Sequence, residues 1–292
     1  MKKIAIKSIL LILIISICSL FIYAASASFA SYKLDLPYSS QINFANEIVP
    51  TNDNDVSERL DREMIINKNY HSNTILVIKR ANKVFPIIEP ILASNGIPDD
   101  FKYLAVIESS LINAVSSAGA RGVWQFMPAT AKEYGLEVTD QVDERYHLEK
   151  STQAACKYLL DAYKKFGNWT LVAASYNGGM AGITRVLESQ KVSNYYDALF
   201  NEETARYVFR ILALKEIMTN TSKYGFEIPL NQKYNFMPTA ELAIETSIED
   251  LAVFAISQEI NYKTLKILNP WLRDKKLTVL PGKSYLIQIP KK

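Results

Sequence analysis

Gly96-Ile-Pro-Asp-Asp-Phe-Lys-Tyr-Leu-Ala-Val-Ile-Glu-Ser-Ser-Leu-Ile112 is the stretch that decides the fold. At about 100° per residue, Phe101, Leu104, Ala105 and Ile112 share one helical face. Pro98 suits a first turn, and Asp99 and Asp100 suit the positive end of the helix dipole, so the spacing predicts a helix starting near Pro98 and covering Asp99–Ile112. Glu108 falls inside the apolar stripe. A carboxylate there is costly to bury, so it must be protonated, paired, or used as an acid. The stripe alone leaves a structural Glu–Arg pair and a general acid equally open.

Helical patterning extends on both sides of this stretch, from Thr74 to Ile228. Candidate helices cover Ile75–Ala93 (perturbed by Pro86 and Pro90), Pro128–Tyr134, Ser151–Phe166, Trp169–Tyr176, Gly179–Ser189, Tyr195–Leu199 and Glu203–Thr219. Ser151 stands before Ala154, Ala155, Tyr158 and Leu159 as a candidate N-cap. No β-rich run interrupts this region, which predicts an all-α domain over 73–223. Residues 31–72, with Pro37, Pro50 and Asn52-Asp-Asn-Asp55, read as a polar tether with some structure near its end. Residues 224–239 contain Pro229 and Pro238 and read as a linker. Residues 240–292 read as a small α+β unit, with helices at Ile248–Ser257 and Tyr262–Asn269 and a final strand at Tyr285–Ile289.

The first thirty residues differ in kind. Lys2, Lys3 and Lys7 precede an apolar run from Ile9 to Tyr23, then small residues with cleavage points after Ala27 or Ala30. This is an export signal or an uncleaved N-terminal anchor that would associate the chain with a membrane. The formal charge of +3 equals those three lysines, so residues 31–292 are neutral and nucleic acid is not an expected partner. Cys18 lies in this segment and Cys156 stands alone after it, which excludes an intramolecular disulfide beyond the leader. Ile17 before Cys18 argues against lipidation. His71 and His147 are the two histidines, and no metal-ligand spacing is present. Cys156, within an apolar helical pattern, reads as a core residue.

Downstream of Glu108 comes Ser116-Ser-Ala-Gly-Ala-Arg-Gly-Val-Trp-Gln-Phe-Met-Pro128. Gly119 and Gly122 permit tight turns or close approach of a ligand, while Trp124 and Gln125 offer an aromatic face and an amide suited to a sugar ring. Ala173-Ala-Ser-Tyr-Asn-Gly-Gly179 ends a helix at Tyr176 and Asn177. Glu203-Thr-Ala-Arg-Tyr-Val208 places Tyr207 on a helix. Singly, each motif is equally a turn, a helix stop or an amphipathic helix.

In this order the motifs resemble the lytic transglycosylases of bacterial cell walls, whose catalytic domain has a goose-type lysozyme-like fold. The likeness is strongest to the membrane-bound murein transglycosylase D group and covers roughly residues 74–220. It implies that Glu108 is the single catalytic carboxylate and that Ser109 helps position it or the sugar. Gln125 would contact substrate, with Gly122 and Trp124 beside it. Tyr176 and Asn177 would line the cleft, and the Tyr207 hydroxyl would lie near Glu108. Ser175-Tyr-Asn-Gly-Gly179 departs from the family's common Ala-Tyr-Asn-Ala-Gly only in small residues.

The resemblance implies cleavage of the MurNAc–GlcNAc β-1,4 bond with formation of 1,6-anhydro-MurNAc, for cell wall turnover and remodelling. No cofactor or metal is expected, the partner is the peptidoglycan glycan strand, the location is the cell envelope, and a monomer is expected. Hydrolases generally need two carboxyl groups, about 5–10 Å apart; Asp143 and Glu144 are candidates for a second, but Asp143-Glu-Arg145 has the character of a charged structural corner. A hydrolytic muramidase and a non-catalytic peptidoglycan-binding protein are the competing readings. Residues 240–292 resemble a degenerate LysM carbohydrate-binding module lacking the Gly-Asp-Thr turn. Glycan binding and simple packing remain alternatives for it.

Overall fold

The computed structural model describes residues 13–19 and 41–291, within two compact units spanning 1–37 and 38–292. Of the first unit, helix α1 (13–19) is described, with exposed side chains. Both expected cleavage points and residues 31–40 lie outside the described residues. Among the described residues, no helix is long and apolar enough to cross a membrane.

The second unit opens with a hairpin, β1 (Asn43–Phe44) and β2 (Glu47–Ile48). Then come α2 (Asn54–Asn69), α3 (His71–Ser94), α4 (Lys102–Ser109), α5 (Pro128–Glu133), α6 (Leu148–Phe166), α7 (Trp169–Gly178), α8 (Met180–Gln190) and α9 (Glu202–Thr219). The domain is mainly helical, as the patterning predicts. Helix α9 is its hub and packs against α2, α4 and α7. Tyr207, Val208, Phe209, Ile211, Leu212, Ala213 and Leu214 are all buried along it, the signature of a helix enclosed on most sides. Asn201 caps it by accepting from the Thr204 N–H at 3.0 Å.

Several expectations change. The supposed tether is ordered from residue 41: Asp53 caps α2, and Val56, Leu60, Met64 and Asn67 form its buried stripe. Five of the sixteen positions, these four and Glu63, are buried, so the helix depends on tertiary packing and looks polar in sequence. The hairpin turns at Ala45 and Asn46, both left-handed, and buries Phe44 against Phe101. Helix α6 begins at Leu148, so Ser151 is not its N-cap; the hydroxyls of Ser151 and Thr152 donate back to the Leu148 carbonyl. Residues 195–199 form no helix, because Asn194 Oδ1 accepts from the N–H groups of Tyr196 and Asp197 and fixes a turn. Helix α3 runs unbroken through Pro86 and Pro90.

The expected linker lies along α3. Tyr234 N–H donates to the Lys79 carbonyl at 3.0 Å, and the Lys79 and Lys83 ammonium groups sit over the Tyr234 and Phe236 rings. Beyond it, β3 (Thr239–Ile244), α10 (Leu251–Ser257), α11 (Tyr262–Leu268) and β4 (Tyr285–Pro290) form the α+β unit. Strand β3, not foreseen, pairs antiparallel with β4 in the register Ile244↔Tyr285 and Leu242↔Ile287. Helix α10 starts at Leu251 rather than Ile248 because the Asp250 carboxylate caps Ala252 and Val253. The buried cluster of this unit comprises Ile244, Leu251, Ala255, Leu265, Trp271, Leu272, Leu277, Tyr285 and Ile287, and it includes Val142 and Tyr146 from the helical domain.

Candidate active site

Helix α4 carries Glu108 and is shorter than its apolar pattern. A 3-10 turn at Asp99–Phe101 leads into it, and Ser110 and Leu111 adopt left-handed backbone at φ 53° and 59°. Two such non-glycine residues cost on the order of 1–2 kcal/mol each. They are held by tertiary contacts, including Arg80 Nη1 donating to the Ser110 carbonyl at 3.1 Å. The stop leaves Ile112 exposed and puts Glu108 in the last turn.

Glu108 is partly covered, and Tyr207 from the buried face of α9 donates its hydroxyl to Glu108 Oε1. Burial pushes the carboxyl up to about 7, against the pull of the Tyr207 hydrogen bond and the Arg210 cation, with Glu203 adding to the rise. The acid is therefore substantially protonated near neutral pH. Burial, reinforced by Glu108, also raises the Tyr207 and Tyr176 phenols well above their ordinary value, so both remain neutral donors.

The loop from Asn113 to Phe126 is folded by the bridges Val115↔Arg121 and Arg121↔Phe126. Gln125, at φ 51°, donates from Nε2 to the Ala114 and Gly122 carbonyls at 3.1 and 2.8 Å. Both amide hydrogens are thereby spent, which leaves Oε1 to accept from a ligand. Tyr176 donates to the Trp124 carbonyl at 2.8 Å and packs edge-on against Tyr158 and Phe126. Asn177 is bound from both ends of its amide, Nδ2 to Glu203 and Oδ1 to the Thr204 hydroxyl.

Glu108, Tyr207 and Tyr176 are thus brought together, with Gln125 on the loop that anchors Tyr176. Three expected contacts take other roles. Trp124 is fully buried and its Nε1 donates to Thr152 Oγ1 at 2.8 Å, so its ring is a core element and presents no face to a sugar. A Cβ on Gly122 would lie 1.8 Å from the Arg145 carbonyl oxygen, so this glycine serves backbone packing and has no open side for substrate. Ser109 is buried and its hydroxyl donates back to the Ala105 carbonyl at 3.2 Å, away from Glu108. The thiol of Cys156 is buried and pushed up to about 12 by desolvation, in keeping with a core role.

Asp143 and Glu144 are both committed elsewhere. Asp143 makes a buried bidentate pair with Arg145 at 2.8 and 2.7 Å, and Glu144 binds Lys150 and the Glu137 N–H. Glu203 and Arg210 were not singled out in the sequence. They stand four residues before and three after Tyr207 on α9, a helical spacing that puts them on the Tyr207 face. A cavity of ≈ 680 Å³ opens next to the flanking residues Ile107 and Ser110, between α2, α3, α4 and α9; Glu203, Arg206 and Arg210 also line it, while Glu108 itself does not.

The fold and the site define a helical domain that presents a carboxylic acid raised to about 7, a phenol donating to it, and the Gln125 amide on the loop that anchors a second phenol, Tyr176. Residues 85–198 match the transglycosylase SLT domain family, and residues 240–292 match the soluble lytic transglycosylase C-terminal LysM-like domain family. It is 28% identical over 246 residues to membrane-bound lytic murein transglycosylase D of Escherichia coli strain K12, covering 82% of this chain and 53% of that protein; the strain O6:H1 homologue matches equally. The chain spans about half the length of the curated relatives it matches. An X-ray structure of an inactive mutant of lytic transglycosylase Slt from Pseudomonas aeruginosa aligns at 18% identity and TM-score 0.38, over 51% of this chain and 26% of that one.

Proposed function

We propose that this chain is a peptidoglycan lytic transglycosylase acting at the MurNAc–GlcNAc β-1,4 bond. The observation that carries the reading is Glu108, poised with its proton near neutral pH and hydrogen-bonded to Tyr207. Glu108 protonates the glycosidic oxygen as the bond to the anomeric carbon breaks. The resulting carboxylate accepts the proton of the C6 hydroxyl of the same MurNAc as that oxygen attacks the anomeric carbon. A 1,6-anhydro ring closes, no water is consumed, and the acid is restored. An intramolecular hydroxyl has a large effective concentration over solvent, which favours ring closure in a site that orients it. Tyr207 steadies the carboxylate between the two steps, Arg210 adds positive potential, and Gln125 Oε1, whose amide hydrogens are spent on the Ala114 and Gly122 carbonyls, accepts from an N–H of the substrate.

A second reading, hydrolysis, has one specific observation in its favour: Glu203 acts electrostatically on Glu108. Glu203 is exposed and accepts from Asn177 Nδ2 at 3.0 Å. Glu203→Gln separates the two. The transglycosylase reading predicts retained turnover with anhydro products, whereas loss of activity comparable to Glu108→Gln, with reducing products in the parent, establishes a two-carboxylate hydrolase. The remaining elements of the proposal are export to the cell envelope and membrane association through the N-terminal segment, supported by Lys2, Lys3, Lys7 and the apolar run that follows. A monomer completes it.

A further inference from the structure

We infer that the C-terminal LysM-like unit holds the substrate-facing loop Asn113–Phe126 in place, so that Arg273 and Tyr285 act as remote positioning residues for the site proposed above, on which this inference rests. The unit is seated on the segment 137–147 by both backbone and side chains. Asp143 N–H donates to the Trp271 carbonyl at 2.9 Å, and Arg273 N–H donates to the Gln141 carbonyl at 2.8 Å. Thr278 N–H donates to Gln141 Oε1 at 2.8 Å, and Tyr285 and Lys283 both reach the Glu137 carboxylate. The Arg273 guanidinium stacks 4.4 Å from the centre of the Tyr146 ring, whose body belongs to the C-terminal unit's own buried cluster.

The same segment props the loop from behind. Arg145, fixed by Asp143, donates to the Gly119 and Phe126 carbonyls at 3.1 and 3.2 Å. The Arg145 carbonyl occupies the space that a side chain at residue 122 would need. Tyr146 receives Arg121 Nη1 at its hydroxyl and Asn113 Nδ2 at its carbonyl, each at 3.4 Å. The loop then supplies the Trp124 carbonyl that orients Tyr176 and the amide of Gln125. Each link is a direct contact between rigidly packed groups, so displacement of Tyr146 or Asp143 moves the loop wall. A module that merely tethered the enzyme to glycan would sit on a free linker; this one shares its core with the domain it follows.

The test uses the full chain carrying Arg273→Ala with Tyr285→Phe, and Val253→Ala on the exposed face of α10 as control. Amide exchange is followed at Arg121 and Gly122, whose N–H groups donate to the Phe126 and Ala114 carbonyls. The double variant should exchange about tenfold faster there, with α9 amides unchanged. On a soluble four-sugar glycan, KM should rise and turnover fall by about tenfold, within the ~100-fold that misplacement by about 1 Å can cost. The pH profile should keep its position, because Glu108 and Tyr207 are untouched. Unchanged exchange in the loop overturns the inference, as does equal acceleration in the loop and α9, which signals general loosening. Loss of binding to intact sacculi alone, with normal four-sugar turnover, makes the unit a glycan tether and also overturns it. A parent chain that leaves glycan intact refutes the proposed function instead, while the exchange data still decide this inference.

Discussion

At Glu108 opposing influences act on one proton: burial holds it on, while Tyr207 and Arg210 favour its release. Because the carboxyl sits at about 7 in the fold against an ordinary 4.5, the folded chain binds this proton more tightly than the unfolded chain. The linked stability is present in full below the ordinary value and is lost as pH rises through that window. Glu108→Gln carries no such charge. Its stability advantage over the parent should therefore grow between those two pH values and then level off, at up to ~3 kcal/mol; a gap that is flat with pH contradicts the raised acid. The same substitution should lower turnover by at least ~100-fold. Tyr207→Phe removes a hydrogen bond to the charged form, so the alkaline limb of kcat/KM should move to higher pH. A downward move would mean that the phenol does not stabilise the carboxylate. The unusual placement of Glu108 was legible from one apolar stripe, although the stripe alone left a structural Glu–Arg pair and a general acid equally open. The roles of Ser109 and Trp124 were not, since a motif shows which residues lie near a site and not which way a side chain turns. Trp124 turns inward to Thr152 and Ser109 to its own helix.

Helices with broad apolar stripes, such as α6 and α9, stand out from sequence, whereas α2 does not, because its buried face is a thin line of Val56, Leu60 and Met64 among charged residues. Its packing partner α9 is distant in the chain, and so is the buried Glu63 pairing with Arg206 at 2.6 Å. Leu60 is fully buried, so Leu60→Ala should cost about 2–5 kcal/mol in denaturant unfolding. A change below about 0.5 kcal/mol would restore the tether reading. The early stop of α4 was equally hidden, for Ser110 and Leu111 have no intrinsic preference for left-handed backbone and take it under tertiary constraint. Within the loop, Gly122→Ala combines a positive φ of 84° with a contact of 1.8 Å to backbone, which no rotamer can relieve. It should destabilise the chain by more than ~1 kcal/mol and abolish glycan cleavage; normal activity in that variant would mean the loop is free to move off residues 143–146.

Across the whole molecule, the Pro-containing linker suggested two separable domains, yet β3 and β4 bring a small unit back onto residues 137–147, where Val142 and Tyr146 enter its core. Sequence periodicity reports local elements well, and it carries no signal for an interface completed by single residues from a turn. The linker, too, is strapped to α3 by Tyr234 and Phe236. Glycan cleavage by one acid without water is the central claim for this assembly, and mass spectrometry of the soluble fragments from purified peptidoglycan tests it most directly. Fragments should end in 1,6-anhydro-MurNAc and resist borohydride reduction. Hydrolysis would add one water to each new end, about 18 Da, and fragments that are predominantly heavier and reducible would contradict the single-acid mechanism at Glu108.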